Sequence, residues 1–223
     1  MSAIEHKSIF RKNVALHRGA PASRVLGIAV SAGGLDPLID VLSELPAAFL
    51  AAIVIVQHVG PVSRLPNLLR SRVALRVKFA EPDEPLCRGV IYVTPPNRHV
   101  IVNPHRTFSL SDAPRLRFQR PSADWLFRSA AASYGRRSIA VVLSGRLDDG
   151  ARGLRCVHRA GGYCIAQAPE SCVHPAMPTA AIRTGCVHAV LKPSDIGPAI
   201  IAKVKGDLRH SSARPAPMHS LLT

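Results

Sequence analysis

The run Val25-Leu26-Gly27-Ile28-Ala29-Val30, closed by the turn Ser31-Ala32-Gly33-Gly34, limits the fold of this chain more than any other stretch. An unbroken apolar run bounded by Arg24 and by glycines suits a strand buried on both faces of a parallel sheet. After the glycines, Leu35, Leu38, Ile39, Leu42 and Leu45 recur with helical spacing until Pro46 ends the pattern. Ser31 is thereby predicted on a tight turn between a strand end and a helix start, the edge where open α/β sheets place their chemistry. Gly33 and Gly34 permit the sharp turn and leave backbone N–H groups free near the hydroxyl, and the helix dipole favours negative charge there. A serine nucleophile and its oxyanion suit this geometry. The same turn also reads as a plain polar closure or as a phosphate cradle. Neither GxGxxG nor GxxxxGK followed by Ser or Thr occurs, which argues against a nucleotide.

The pattern repeats along the chain. Phe49–His58 is a second buried strand, and it carries His58 at the same predicted edge as Ser31. Ser63–Val73 reads as a short helix with Leu65, Leu68 and Leu69 inward, and Arg76–Ala80 as a short strand. Val90–Thr94, the turn Pro95-Pro96-Asn97 and His99–Val102 give a hairpin signal, with Thr107–Leu110 as a third strand. A helix capped by Ser122 is expected to run to about Tyr134, with Trp125, Leu126 and Ser129 near its core face. Ser138–Ser144 is a third strongly apolar strand, ending in Gly145-Arg146-Leu147-Asp148-Asp149-Gly150. A helix over Ala151–Arg159, a strand over Gly162–Gln167, a helix over Met177–Thr184 capped by Gly185, a strand over Val187–Leu191 and a helix over Pro193–Val204 follow. Alternation of this kind predicts an α/β fold: three layers, α/β/α, doubly wound, with a mostly parallel sheet and an inserted β-hairpin. Residues 1–22 are expected to form a basic N-terminal arm, 23–204 one domain, and 205–223 a disordered basic tail.

Composition excludes several classes. No apolar run approaches the ~18 residues of a membrane span, and the N-terminus lacks the apolar stretch of a secretory signal, so a cytoplasmic location without membrane insertion is expected. The net charge of +15 points to an acidic partner or to solvated arginine-rich faces. Aromatics are not interleaved with the basic residues, so no nucleic-acid partner is expected. Five cysteines, an odd count, imply no disulfide framework. Cys-Val-His recurs at Cys156–His158, Cys172–His174 and Cys186–His188, but no CxxC pair accompanies it, so packed thiols are favoured over a metal site.

Three predicted strand ends thus carry Ser31, His58 and the pair Asp148/Asp149. A hydrolase needs a hydroxyl nucleophile, an imidazole to take its proton and a carboxylate to hold the imidazole. The alternatives at this level are an Asp-Gly turn and a packed histidine.

The chain from about Arg24 to Lys203 resembles the catalytic domain of the chemotaxis protein-glutamate methylesterases, CheB-type. The resemblance rests on Ala29–Gly34, Val56-Gln57-His58, Ser144–Gly150, Pro95–His99, Arg120–Phe127, and Ser171-Cys172-Val173 with Met177-Pro178. It implies a Ser31–His58–Asp149 triad, with Asp149 rather than Asp148 in the acidic place, and backbone oxyanion donors at Ala32 and near Arg146. It implies hydrolysis of γ-glutamyl methyl esters on cytoplasmic chemoreceptor helices, deamidation of glutamines in some members, and no metal or cofactor. A phosphorylated receiver domain precedes this domain in many members. Only about two dozen residues precede the first strand here, so the expectation is a chain without it, always active or controlled by a separate regulatory protein. Two departures stand out: Ala29-Val30 where Gly-Ala is commonest, and Arg146-Leu147 where Met-Gly is more usual. They leave open a same-fold esterase or amidase with another substrate, or a non-catalytic chemosensory binding module.

Overall fold

The structure, a computed structural model, describes residues 19–58 and 60–212. In chain order the elements are β1 (Val25–Val30), α1 (Leu35–Ser43), β2 (Ala52–Gln57), α2 (Leu65–Arg70), β3 (Arg76–Phe79), β4 (Val90–Val93), β5 (His99–Val102) and β6 (Phe108–Ser111). They continue with α3 (Ala123–Tyr134), β7 (Ser138–Val142), α4 (Ala151–Arg159), β8 (Tyr163–Gln167), α5 (Ala176–Ile182), β9 (Ala189–Leu191) and α6 (Pro193–Ser212).

Seven strands form one sheet in the order β3-β4-β2-β1-β7-β8-β9. Every pairing in it is parallel. The chain leaves β1 for β2 on one side and later returns to β7 on the other, so the strand ends around β1 form the crevice of a doubly wound sheet. Both faces are buried, which is why β1, β2, β4 and β7 read as continuous apolar runs rather than alternating ones. One core cluster joins the sheet to α1, α2 and α6 through Leu38, Leu42, Leu69, Ile196 and Ile200. The other joins it to α3, α4, α5 and the small β5–β6 sheet through Leu126, Phe127, Leu154, Met177 and Phe108.

The hairpin differs from expectation. Val90–Val93 is a central strand of the main sheet, and His99–Val102 pairs instead with Phe108–Ser111, antiparallel. All four β4 residues are buried. A strand with no solvent face needs neighbours on both sides, which β2 and β3 supply, and Pro95-Pro96 then cannot continue a ladder. Leu68 is likewise corrected: Leu65, Pro66 and Leu69 are buried, but Leu68 is exposed, because Pro66 takes the third inward position of the short α2.

The outer boundaries also shift. The last helix continues to Ser212, eight residues beyond Val204. Pro21 and Ala22, assigned to the arm, are pinned to the domain: Pro21 bridges Cys87, and the buried Ala22 donates its N–H to Leu86 O at 2.8 Å. The rest of the expected arm, residues 1–18, and the tail from 213 lie outside the described residues.

Candidate active site

Ser31 and His58 each follow a paired strand end. Val30 lies in register with Gln57, and the His58 N–H donates to Val30 O at 3.1 Å, extending the β1–β2 ladder by one step. On the other side of β1, the Ser31 N–H donates to Ser144 O at 3.0 Å. The serine is therefore held between the ends of β2 and β7 by backbone bonds alone. Gly33 makes the turn at φ +68°, a conformation costly for any residue with a Cβ. Gly145 is required for a different reason: a Cβ there would lie 2.1 Å from Met177 Sδ and 2.8 Å from Ser31 Cβ.

Asp149 is buried just past β7, and its carboxylate collects five donors. Oδ2 accepts from His58 Nε2 at 2.7 Å and from the Ala123 N–H at 2.7 Å; Oδ1 accepts from Ser122 Oγ at 2.7 Å, the Gly150 N–H at 3.0 Å and the Asp124 N–H at 3.2 Å. Two of these donors are the orphan N–H groups that open α3, so Asp149 caps that helix from another part of the chain. Ser122, expected to cap α3 with its own hydroxyl, gives that hydroxyl to Asp149 instead. Burial pushes the Asp149 carboxyl up, but the His58 hydrogen bond and charge, with the Ala123 N–H and Ser122 hydroxyl, outweigh it and hold the group below its ordinary value. An ionised carboxylate only accepts, so the shared proton sits on His58 Nε2, which in the neutral imidazole leaves the lone pair on Nδ1. That Nδ1 is buried and without a hydrogen-bond partner among the described residues. The His58 side chain is only 7% exposed.

The structure thus joins His58 to Asp149 and sets Ser31 and His58 side by side, each one residue past the paired Val30 and Gln57, with no hydrogen bond between Ser31 Oγ and the imidazole among the described residues. Asp148 turns away to the half-exposed Arg117, with which it forms an ion pair. Neither the Ala32 nor the Arg146 N–H has a hydrogen-bond partner among the described residues, whereas the Gly34 N–H, expected to be free, closes the turn on Ser31 O at 3.1 Å.

A family model described as CheB methylesterase matches residues 26–200. This chain belongs to the CheB methylesterase family. A protein-glutamate methylesterase/protein-glutamine glutaminase of Myxococcus xanthus is 38% identical over 184 residues, which cover 82% of this chain and 52% of that protein. The protein-glutamate methylesterase FrzG of Myxococcus xanthus is 40% identical over 183 residues, covering 81% and 55%. The chain therefore spans about half the length of these curated relatives. The crystal structure of the Thermotoga maritima CheB methylesterase catalytic domain superposes with a TM-score of 0.78 at 32% identity, over 81% of this chain and 98% of that one.

Two supports of the CheB methylesterase fold escaped the reading of the sequence. Ser144 Oγ donates to Ala32 O at 3.0 Å and accepts from the His174 N–H at 3.1 Å, tying the serine turn to the loop after β8. Gln167, fully buried at the end of β8, accepts from the Ser144 N–H at 2.9 Å through Oε1 and donates to Ser171 O at 3.0 Å through Nε2. The available signal was a polar residue closing an otherwise apolar strand, since such a group must find partners when buried. The departure from Met-Gly also gains a physical meaning. Leu147 sits at φ +65° with its side chain 55% exposed, so a leucine occupies a conformation that favours glycine. The Cys-Val-His copies scatter to α4, to the loop before α5 and to the turn before β9; the His158 and His188 rings lie 5.1 Å apart. Among the described residues no group of three or more metal-ligating side chains gathers.

Proposed function

We propose that this chain is a serine hydrolase that removes methyl groups from γ-glutamyl esters on cytoplasmic chemoreceptor helices, and that glutamine amides are open to the same attack. In this reading Ser31 Oγ attacks the ester carbonyl while His58 Nδ1 takes its proton. Asp149 holds the imidazole by Nε2 and stabilises the imidazolium that forms. The Ala32 and Arg146 N–H groups receive the oxyanion, an interaction whose loss costs ~10²–10³ in rate. His58 then gives its proton to the departing methoxide, releasing methanol. Water, deprotonated by His58, attacks the acyl-enzyme and frees a glutamate carboxylate and the Ser31 hydroxyl. No helix among the described residues is long and apolar enough to cross a membrane, which is compatible with a cytoplasmic place of action.

The observation that carries this reading is the His58–Asp149 bond of 2.7 Å at the strand end beside Ser31, where both Ser31 and His58 follow the paired Val30 and Gln57. The Ser31–His58 contact is of the kind that tightens when substrate is in place. The test is methanol release from a methylated receptor fragment. Ser31→Ala is expected to abolish release while leaving the fold intact; undiminished release would reject Ser31 as nucleophile. The strained Leu147 favours one rival, a same-fold esterase with a reshaped site. Turnover of small esters with no methanol from any methylated receptor would select it.

A further inference from the structure

Beside the site lies an open groove of about 810 Å³ that contains neither Ser31, His58 nor Asp149. It starts at the Arg146-Leu147-Asp148 loop and runs between α4 and α5 to Thr184. Five arginines line it, and Asp148 is its one carboxylate, already paired with Arg117. Arg152 and Arg155 stand one turn apart on α4, Arg183 follows α5, and Arg146 stands at the mouth; all four are exposed. Among the described residues none of these four guanidinium groups has an ion-pair or hydrogen-bond partner. A chain that merely solvated its surplus charge would be expected to disperse it. Four unpaired guanidinium groups around one concave surface raise the local potential instead, and repel one another without an anionic occupant.

We infer that this groove is an exosite for an acidic polypeptide segment, namely the glutamate- or aspartate-bearing stretch of the substrate that flanks the methyl ester. The inference deepens the esterase reading and rests on it. Its geometry is set by the loop the groove shares with the site. Arg146 is three residues from Asp149, so a segment seated on Arg152, Arg155 and Arg183 runs toward the serine turn. Guanidinium groups spread over two helices and a loop suit several carboxylates along a chain better than one small anion. Nucleic acid is the other polyanion to weigh. The lining holds no Phe, Tyr or Trp on which bases would stack, which favours the polypeptide.

The experiment uses the full chain and two synthetic peptides of equal length. Each carries one central γ-glutamyl methyl ester; one is flanked by glutamates, the other by glutamines. The expected result is a preference for the glutamate peptide of about tenfold in kcat/KM at low salt, expressed mainly in KM and collapsing as salt rises. Arg152→Gln/Arg155→Gln is expected to bring that ratio close to one. Arg136→Gln/Arg137→Gln removes the same charge from the far end of β7 and is expected to leave the ratio as it was. Equal use of both peptides by the wild type overturns the exosite, as does loss of the ratio to the same extent in both double variants. A separate arm measures anisotropy of the labelled glutamate peptide on the Ser31→Ala chain. Binding weakened by Arg152→Gln/Arg155→Gln supports the groove even if neither peptide is hydrolysed, an outcome that defeats only the esterase reading. An oligonucleotide of equal charge that displaces the peptide at lower concentration than the peptide itself would overturn the assignment to polypeptide.

Discussion

The two faces of the central sheet are built from different residues. Toward α1 and α6, the strands around the site present Leu26, Ile28, Ile53, Ile55, Ile139 and Ile165. Toward α3 and α4, the same strands present Ala29, Ala52, Val54, Ala140, Cys164 and Ala166, and Gly27 contributes no side chain at all. Large branched side chains fill volume and bury area, so the first face is organised for stability. Small ones let helices approach. A Cβ on Gly27 would lie 2.9 Å from the Phe127 ring, and one on Gly153 would lie 2.7 Å from Phe127 Cβ and 2.9 Å from Asp124 Cα. That close approach brings the first turn of α3 to the sheet edge, where its N–H groups reach Asp149. The thin face therefore positions the carboxylate, and the thick face supplies the burial that keeps the sheet together.

The largest effect should come from the end point of the thin face. Asp149→Asn is expected to lower kcat for methanol release by about 10³–10⁴, as loss of the imidazole's orienting carboxylate does in other triads. An unchanged kcat on folded protein would separate α3 from the chemistry altogether. On the thick face, Ile28→Ala should cost about 2–5 kcal/mol in denaturant unfolding. Its kcat below the transition should be unchanged; a fall would show that the faces are not separable. Gly27→Val should cost about 1–3 kcal/mol through overpacking against Phe127. Unlike Ile28→Ala it should also lower kcat, by roughly ten- to a hundredfold, because α3 must move.

A smaller, pH-dependent effect separates two neighbouring carboxylates on the thin face. Asp149 is held below its ordinary 3.8, so its contribution to stability is complete above that value and is lost as pH falls through the lower folded one. Asp124 has the opposite sign. Burial holds its carboxyl above 3.8, Asp149 adds to the shift, and its buried Oδ2 has no hydrogen-bond partner among the described residues, so it erodes stability as pH rises from 3.8 through the raised value. Asp124→Asn should therefore gain on the wild type between pH 4 and neutrality, read from denaturant midpoints at each pH; a parallel pair of curves would refute the assignment. The smallest effect is expected at Leu147→Gly. Relief of the left-handed backbone offsets the added freedom of the unfolded chain, leaving a change below about 1 kcal/mol.

The chain itself determined much of this protein, because strands and helices announce themselves through short-range patterns. The apolar runs at Val25–Val30, Ala52–Gln57 and Ser138–Val142 and the helical spacing after Gly34 specified the layers, the parallel sheet and the edge carrying Ser31 and His58. Resemblance to a family singled out Asp149 over Asp148. What the pattern could not hold was any relation between distant segments. His58 and Asp149 are 91 positions apart, and Ser122 reaches Asp149 across 27. Whether Val90–Val93 joins the main sheet or a hairpin, whether Leu68 faces in or out, and where Gln167 finds its partners depend on which neighbours packing supplies. Periodicity is a property of a few consecutive residues; a donor's partner, a strand's neighbour and a groove between two helices exist only once the chain has closed on itself.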